Sequence, residues 1–293
     1  MNSACITTSS RPQTSACESG DEPSRFAVEK LREPSPKSFV MFPDRQRGNR
    51  SVSVKFIEQL RKFDTPTVCN VIELFGIQPR TLGFAGQRIQ SCYPDLPPAV
   101  GYATTASFRA SAPGGTGSAY AGIEKQLETF ENLPGPAMIV IQDLDHPVAA
   151  AVFGEVMCST YQAFGATGLI TNGAGRDFVQ VRELGFPVFT GGTICSHGYC
   201  HLMHVGLPVT MDGLVVQQGD LLHADANGVA TIPMNIAEGV ASLAEAFVEA
   251  EEIIMAYVKS DGSKTVSEYA DRREAFQQRL VELKTRAAEY LPA

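Results

Sequence analysis

Between residues 137 and 189 apolar strands alternate with amphipathic helices, and this alternation restricts the fold more than any other stretch. Ala137-Met138-Ile139-Val140-Ile141 follows Pro134-Gly135-Pro136 as a continuous apolar run, the pattern of a strand buried on both faces. A helix starts after Gly154 and ends near Gly165, with Val156, Ser159, Thr160 and Ala163 on one face. Thr167 to Thr171 reads as a short buried strand. Asp177 opens a second helix, with Phe178, Val181 and Leu184 inward, and Gly185-Phe186-Pro187-Val188-Phe189 is the next strand. Two strand–helix–strand units in so short a span predict an α/β core.

The flanking segments modify that core. Phe56, Leu60 and Phe63 share a helix face. Asp64-Thr65-Pro66 predicts an N-cap with proline in the first turn of a helix running to Gly76, with Val68, Ile72 and Phe75 inward. Arg80 to Pro98 is irregular, and Val100 to Phe108 reads as a strand. Between Pro208 and Pro233, turn signals at Asp212-Gly213, Gln218-Gly219-Asp220 and Asn227-Gly228 separate short apolar segments. That antiparallel meander predicts a mixed sheet or barrel rather than a Rossmann fold. Ile236, Val240, Leu243, Phe247, Ile254 and Tyr257 keep helical spacing. A final helix starts at the capping-box pattern Thr265-Val266-Ser267-Glu268. Its stripe of Phe276, Leu280, Leu283, Ala287 and Tyr290 must dock on the core or on another subunit, and an oligomer contact is the expectation.

Three segments follow from this reading: a disordered or loosely docked tail over 1–50, an α/β domain over 51–260, and a C-terminal helical extension over 261–293. The tail is polar and proline-broken apart from Phe39-Val40-Met41-Phe42-Pro43. The net charge of −8 argues against a nucleic-acid surface. No apolar run has membrane-spanning length, and residues 1–22 lack the apolar segment of a secretory signal. Seven scattered cysteines without a CxxC pair predict a reducing, cytoplasmic setting.

The polar residues of the central stretch suggest chemistry. Glu155 precedes Arg176 by one crossover's worth of chain, so Arg176 and Asp177 can return beside the helix start at Gly154. A helix start offers unpaired N–H groups to an anion. Arg176 offers a fork suited to a carboxylate, and Asp177 and Glu155 offer hard oxygen ligands of the kind that hold Mg²⁺. Together they suit a 2-oxo acid. Each residue also has a plainer explanation: Asp177 as an N-cap, Glu155 as a first-turn acid, Arg176 as a surface cation. The glycine-rich stretch 111–118 lacks a Gly-Lys-Ser/Thr ending and reads as a flexible connection. His197 and His201 have the i, i+4 spacing of a zinc pair, but Gly198 weakens a helix there and no partner pair is evident. His197, His201 and His204 therefore read as loop or subunit-contact residues, with substrate selection as a further role, while His146 and His223 read as structural. Cys158 reads as helix packing.

The spacing Gly154-Glu155, twenty residues, Arg176-Asp177 resembles the signature of the RraA-like family. The stretches Asp64-Thr65-Pro66-Thr67-Val68, Glu183 to Phe189, Pro208-Val209 and Gly219 to Pro233 also match it, so the resemblance covers roughly residues 52–258. It implies an α/β fold with a central ββα-type barrel like a swivelling phosphohistidine domain, flanked by helices, in trimers or hexamers. It also implies a 4-hydroxy-4-methyl-2-oxoglutarate aldolase or oxaloacetate decarboxylase type of activity. This would be a metal-dependent, class II lyase that releases pyruvate through a metal-stabilised enolate. In that pattern Gly154, Glu155, Val156, Met157 and Arg176 bind substrate, and Arg176, Asp177 and Glu155 are catalytic. Mg²⁺ or Mn²⁺ is held by Asp177, by Glu155 through water, and by a neighbouring subunit's acid. Glu249, Glu251 and Glu252 are the candidates for that acid, with Glu252 put forward. Three departures stand out: Asn172 where the family carries aspartate, Asn70 where an acid is common, and Gln180 after the Arg-Asp pair. The alternative is a non-catalytic member that binds a ribonuclease. A methyltransferase reading lacks a strand followed by a glycine-rich nucleotide loop.

Overall fold

The computed structural model describes residues 55–114 and 122–291, all within one compact unit, Arg45–Ala293. The expected tail over 1–50 and residues 115–118 of the glycine-rich stretch lie outside the described residues. In chain order the strands are β1 (Gln90–Ser91), β2 (Ala99–Arg109), β3 (Ala137–Asp143), β4 (Ala151–Phe153), β5 (Leu169–Thr171), β6 (Ala174–Gly175) and β7 (Val188–Thr190). They continue with β8 (Gly192–Thr193), β9 (His201–Met203), β10 (Val209–Met211), β11 (Leu214–Val216), β12 (Leu221–Asp225) and β13 (Gly228–Ile232). The helices are α1 (Thr65–Phe75), α2 (Ile123–Glu128), α3 (Glu155–Ala163), α4 (Phe178–Glu183), α5 (Ala237–Lys259) and α6 (Val266–Ala288).

The main sheet runs β1-β7-β5-β3-β2-β12-β13, with β9 also pairing to β2. Pairing is parallel from β2 through β3 and β5 to β7 and antiparallel elsewhere in this sheet. Residues 83–91 connect its two edges. The Ala85 N–H donates to the Val229 carbonyl (2.9 Å) and the Thr231 N–H to the Gly83 carbonyl (2.8 Å), while Gln90 and Ser91 pair with Thr190 and Phe189. The sheet is therefore nearly closed and barrel-like, as expected. The stretch read as irregular in sequence supplies the closure.

Period-2 alternation explains the layers. Ala137, Ile139 and Ile141 of β3 face the cluster that contains the helices, with Val68, Ile72, Tyr161, Val181, Val240 and Leu243. Met138 and Val140 face a second cluster that holds Ile170, Phe189 and Leu222 and is completed by the β10–β11 hairpin. Asp212 and Gly213 both have positive φ (44° and 92°), which suits the two-residue turn of that hairpin. Asp64 caps α1 as expected, its carboxylate accepting the Thr67 N–H at 2.9 Å. The helix start is then pinned to β12. The Thr65 N–H donates to Asp225 (2.8 Å), and Thr65 Oγ1 bonds the fully buried His223, whose other ring nitrogen lies 3.1 Å from the Leu60 carbonyl. Burial pushes the His223 imidazole below its ordinary range, which fits the structural role read from sequence.

One face is assigned and one expectation changes. On α3, Val156 and Ala163 are exposed and Ser159 and Thr160 half-buried, while Met157, Cys158 and Tyr161 form the buried side. The α6 stripe expected at an oligomer contact is used within the chain: Leu283 and Ala287 are fully buried, and Phe276 packs edge-on against Phe247 of α5 at 6.4 Å. Among the described residues no helix is long and apolar enough to cross a membrane.

At the end of β3, Asp143 and Asn172 clamp two parallel strands. The Asp143 N–H donates to Asn172 Oδ1 (2.7 Å) and Asn172 Nδ2 donates to the Asp143 carbonyl (3.1 Å). Asp143 Oδ1 accepts the Asp145 N–H at 2.9 Å, while the buried Oδ2 has no hydrogen-bond partner among the described residues. Burial is the main reason the Asp143 carboxyl is pushed up to about 6. A carboxyl that binds its proton more tightly in the folded state makes stability fall as pH rises from its unfolded value toward 6. Subtracting the Asp143→Asn urea-denaturation series from wild type over pH 4–7 should isolate that decline, about 1.4 kcal/mol per pH unit at most. Leu283→Ala should cost about 2–5 kcal/mol by the same measurement, because it empties a closed contact under α6.

Candidate functional site

Three parallel connections deliver the site. After β3 and β5 the chain adds a small parallel sheet, β4-β6-β8. There Ala151 pairs with Ala174 and Phe153 with Gly175, so the start of α3 lies next to the segment leading into α4. The Arg176 N–H donates to the Phe153 carbonyl at 3.0 Å. Close approach dictates both flanking glycines. A Cβ on Gly175 would lie 2.1 Å from the Phe153 ring, and one on Gly154 would lie 2.5 Å from Asp177 Oδ2 and 3.0 Å from Arg176 Nε. The loop after β8 joins the same edge, with Ile194 N–H bonded to the Gly175 carbonyl (3.0 Å) and Ala151 N–H to the Ser196 carbonyl (2.8 Å).

Asp177 sits before α4 in the left-handed region (φ 58°, ψ 38°), and its side chain does not cap that helix. Instead Oδ2 accepts the Glu155 N–H at the start of α3, at 3.1 Å. The N-cap explanation of Asp177 therefore fails, and the convergence of residues 154–155 with 176–177 is present. One of the α3 amides expected to receive substrate is taken by Asp177. The amides of Val156 and Met157 precede the first helical bond, from Cys158 N–H to the Gly154 carbonyl. Arg176 Nε lies 3.6 Å from Asp177 Oδ2, with side chains 26% and 35% exposed, so both are reachable yet held. Around them the Glu155 and Val156 side chains are exposed and Met157 is buried.

Several other candidates do not converge here. Among the described residues, no three His, Cys, Asp or Glu side chains form a group able to hold a metal. Glu249 and Glu252 are exposed on α5. Burial, then the neighbouring Asp64, pushes Glu251 above the ordinary carboxylate range at the α1–α5 contact. Asn70 lines an open groove of about 300 Å³ with Cys69, Glu73 and Arg80, and this groove includes none of residues 154–157 or 176–177. His197 lies at a turn and His201 begins β9, so their spacing falls on no helix. His204 Nδ1 bonds Ser107 Oγ at 3.0 Å. Cys158 is fully buried and its thiol is pushed well up by burial, the state of an inert packing cysteine.

Sequence reading missed Tyr93, whose hydroxyl donates to the Phe178 carbonyl beside Asp177 at 2.6 Å. Its segment carries no periodicity, so nothing local in the sequence signals that contact.

The comparisons with known proteins agree with this architecture. A protein of Halalkalibacterium halodurans, provisionally named a 4-hydroxy-4-methyl-2-oxoglutarate aldolase, is 29% identical over 112 residues, covering 38% of this chain and 52% of its own. The chain spans about half or less of the length of the curated relatives it matches. Among solved structures, an uncharacterized Pseudomonas syringae protein superposes with a TM-score of 0.59 at 22% identity, over 75% of this chain and 93% of its own. Streptomyces coelicolor RraAS2, described as an unusual member of the RNase ES inhibitor RraA protein family, gives 0.54 at 22%, over 71% and 96%. The model of the RraA-like family, Aldolase/RraA, matches residues 65–231, more than half of the sequence, and the chain belongs to that family.

Proposed function

We propose that this chain is a divalent-metal-dependent lyase that cleaves a C–C bond in a 2-oxo acid or diacid to release pyruvate, by retro-aldol cleavage, oxaloacetate β-decarboxylation, or both. The observation that carries the reading is the Asp177 carboxylate held on the Glu155 amide with the Arg176 guanidinium beside it. The name of the Halalkalibacterium relative supports the same class of reaction.

The donor set fits a sparsely ligated hard cation. Mg²⁺ is usually bound through one or two carboxylates, with water and substrate oxygens completing its shell. Asp177 would hold Mg²⁺ or Mn²⁺ directly and Glu155 through water, with Glu252 of an adjacent copy in a trimer or hexamer as the further acid. When bound, the metal supplies Lewis-acid stabilisation of negative charge on the substrate's keto oxygen.

The chain's own groups do the rest. Arg176 binds the substrate carboxylate through its planar fork, and the Val156 and Met157 amides add donors at the positive end of α3. As the C–C bond breaks, its electron pair stays on the carbon that becomes the pyruvate methyl group. The other fragment leaves as CO₂ or, in retro-aldol cleavage, as a carbonyl compound whose hydroxyl proton passes to water, and a proton must reach the new methyl carbon. Glu155 is exposed at the site and positions the water that delivers the proton.

Pyruvate release from oxaloacetate and from 4-hydroxy-2-oxo diacids should require Mg²⁺ or Mn²⁺ and stop with EDTA. Arg176→Ala should lower kcat/KM by about 10²-fold or more, the scale for losing a charged donor to a developing anion. Gly154→Ala should impair turnover comparably, because its Cβ would displace the Asp177 carboxylate. Folded protein without metal-dependent turnover across a panel of 2-oxo acids would overturn the reading. The non-catalytic alternative, favoured by the likeness to RraAS2, predicts ribonuclease binding that Arg176→Ala leaves intact.

A further inference from the structure

We infer that Tyr93 is a positioning residue for Asp177: it fixes the peptide that follows Asp177 and so keeps the Asp177 carboxylate on the start of α3. The inference rests on the functional reading above only where metal binding is measured.

Asp177 is a non-glycine residue with φ 58°, a conformation that persists only where neighbouring contacts over-determine it. The contacts before it are in place, with Arg176 N–H on the Phe153 carbonyl and Asp177 Oδ2 on the Glu155 amide. After it, the Asp177 carbonyl accepts the Val181 N–H at 2.9 Å, as the first bond of α4. A helix of only six residues has little internal cooperativity to hold its own first turn.

Phe178 is held at both ends. Its ring packs edge-on against Phe153, with centroids 6.1 Å apart, and its carbonyl accepts the Tyr93 hydroxyl at 2.6 Å. Tyr93 is itself anchored. The preceding Cys92 N–H donates to the Val188 carbonyl of β7 at 3.0 Å, so the tyrosine hangs from the sheet edge and not from a free loop. Arg182, one turn along α4, lies over the Tyr93 ring at 5.9 Å and pairs with Asp95. That exposed ion pair contributes little by itself, but it covers a ring that is only 7% exposed. Tyr93 and Arg182 thus form a closed circuit from β7, through the ring, to the first and last turns of α4. Burial pushes the Tyr93 phenol upward, so the hydroxyl keeps its proton throughout the ordinary pH range.

Tyr93→Phe removes the hydroxyl and keeps the ring under Arg182. Amide hydrogen exchange at Glu155, whose N–H is bonded to Asp177, reports the position of the carboxylate without any assumption about activity. The Ile139 amide in β3, bonded to the Gly168 carbonyl, reports global stability. Exchange at Glu155 should quicken about tenfold relative to Ile139, as expected for a local opening. Mn²⁺ affinity, followed by electron paramagnetic resonance, should weaken by about tenfold, the lower scale for removing an outer support of a metal ligand. Arg182→Gln, which leaves the hydroxyl but uncovers the ring, should move Glu155 exchange in the same direction by less. It keeps the test open should the phenylalanine variant fold poorly. Unchanged Glu155 exchange relative to Ile139 in the folded variants would overturn the inference. Quickened Glu155 exchange in Tyr93→Phe, together with wild-type protein that binds no Mn²⁺, would retain Tyr93 as the support of Asp177 and would remove the metal-dependent reading instead.

Discussion

A carboxylate seated on the first amide of another helix is the interaction on which the site depends. Asp177 Oδ2 satisfies the Glu155 N–H, and the two residues belong to different strand–helix units. That bond requires strand ends brought together in register, a bare Gly154 for the carboxylate to approach, and a Gly175 on which the Phe153 ring can lie. It also requires a left-handed backbone at Asp177, which costs about 1 kcal/mol or more and is offset by contacts on both sides. Arg176, the next residue back, is thereby fixed at the same place with its charge partly balanced.

The barrel-like sheet supplies the rigidity behind this. Its strands β2, β3, β5 and β7 are parallel and buried, so their ends emerge on one side and deliver successive connections there. Behind the sheet, the buried Gln126 of α2 is taken up by the Tyr161 hydroxyl at 2.6 Å and the Thr104 carbonyl at 2.9 Å. This network ties α3 to α2 and β2, behind the helix start that carries Glu155.

Sequence pattern revealed the parts governed by short-range physics. The apolar run at 137–141, the proline-led start of α1 and the Asp-Gly hairpin turn each follow from local propensity and periodicity. The interval from Glu155 to Arg176 indicated the convergence because one crossover fixes the return distance. Closure by residues 83–91 was illegible, since those backbone bonds carry no side-chain signature. Periodicity groups Val156, Ser159, Thr160 and Ala163 on one face of α3 but does not say which way that face turns. A short helix packed on only one side is half-buried through Met157, Cys158 and Tyr161, and small or hydroxylated residues such as Ser159 and Ala163 fit either side. The α6 stripe favoured an oligomer contact, and only the position of α5 shows that it is used internally.

Asn172 is a local electrostatic solution at the junction of β3 and β5. At this position a side chain must accept the Asp143 N–H and face the Asp143 carbonyl. Aspartate could do the first but would set a carboxylate oxygen against the carbonyl, beside a buried carboxyl that already resists ionisation. Asparagine makes both bonds without charge. The Asn172 side chain therefore locks the strand ends of β3 and β5 without adding charge, and the Asp177 carboxylate sits where Arg176 and the α3 amide receive it. Asn172 thus supports the approach to the candidate site, whose polar centre is the Arg176–Asp177 pair on the start of α3.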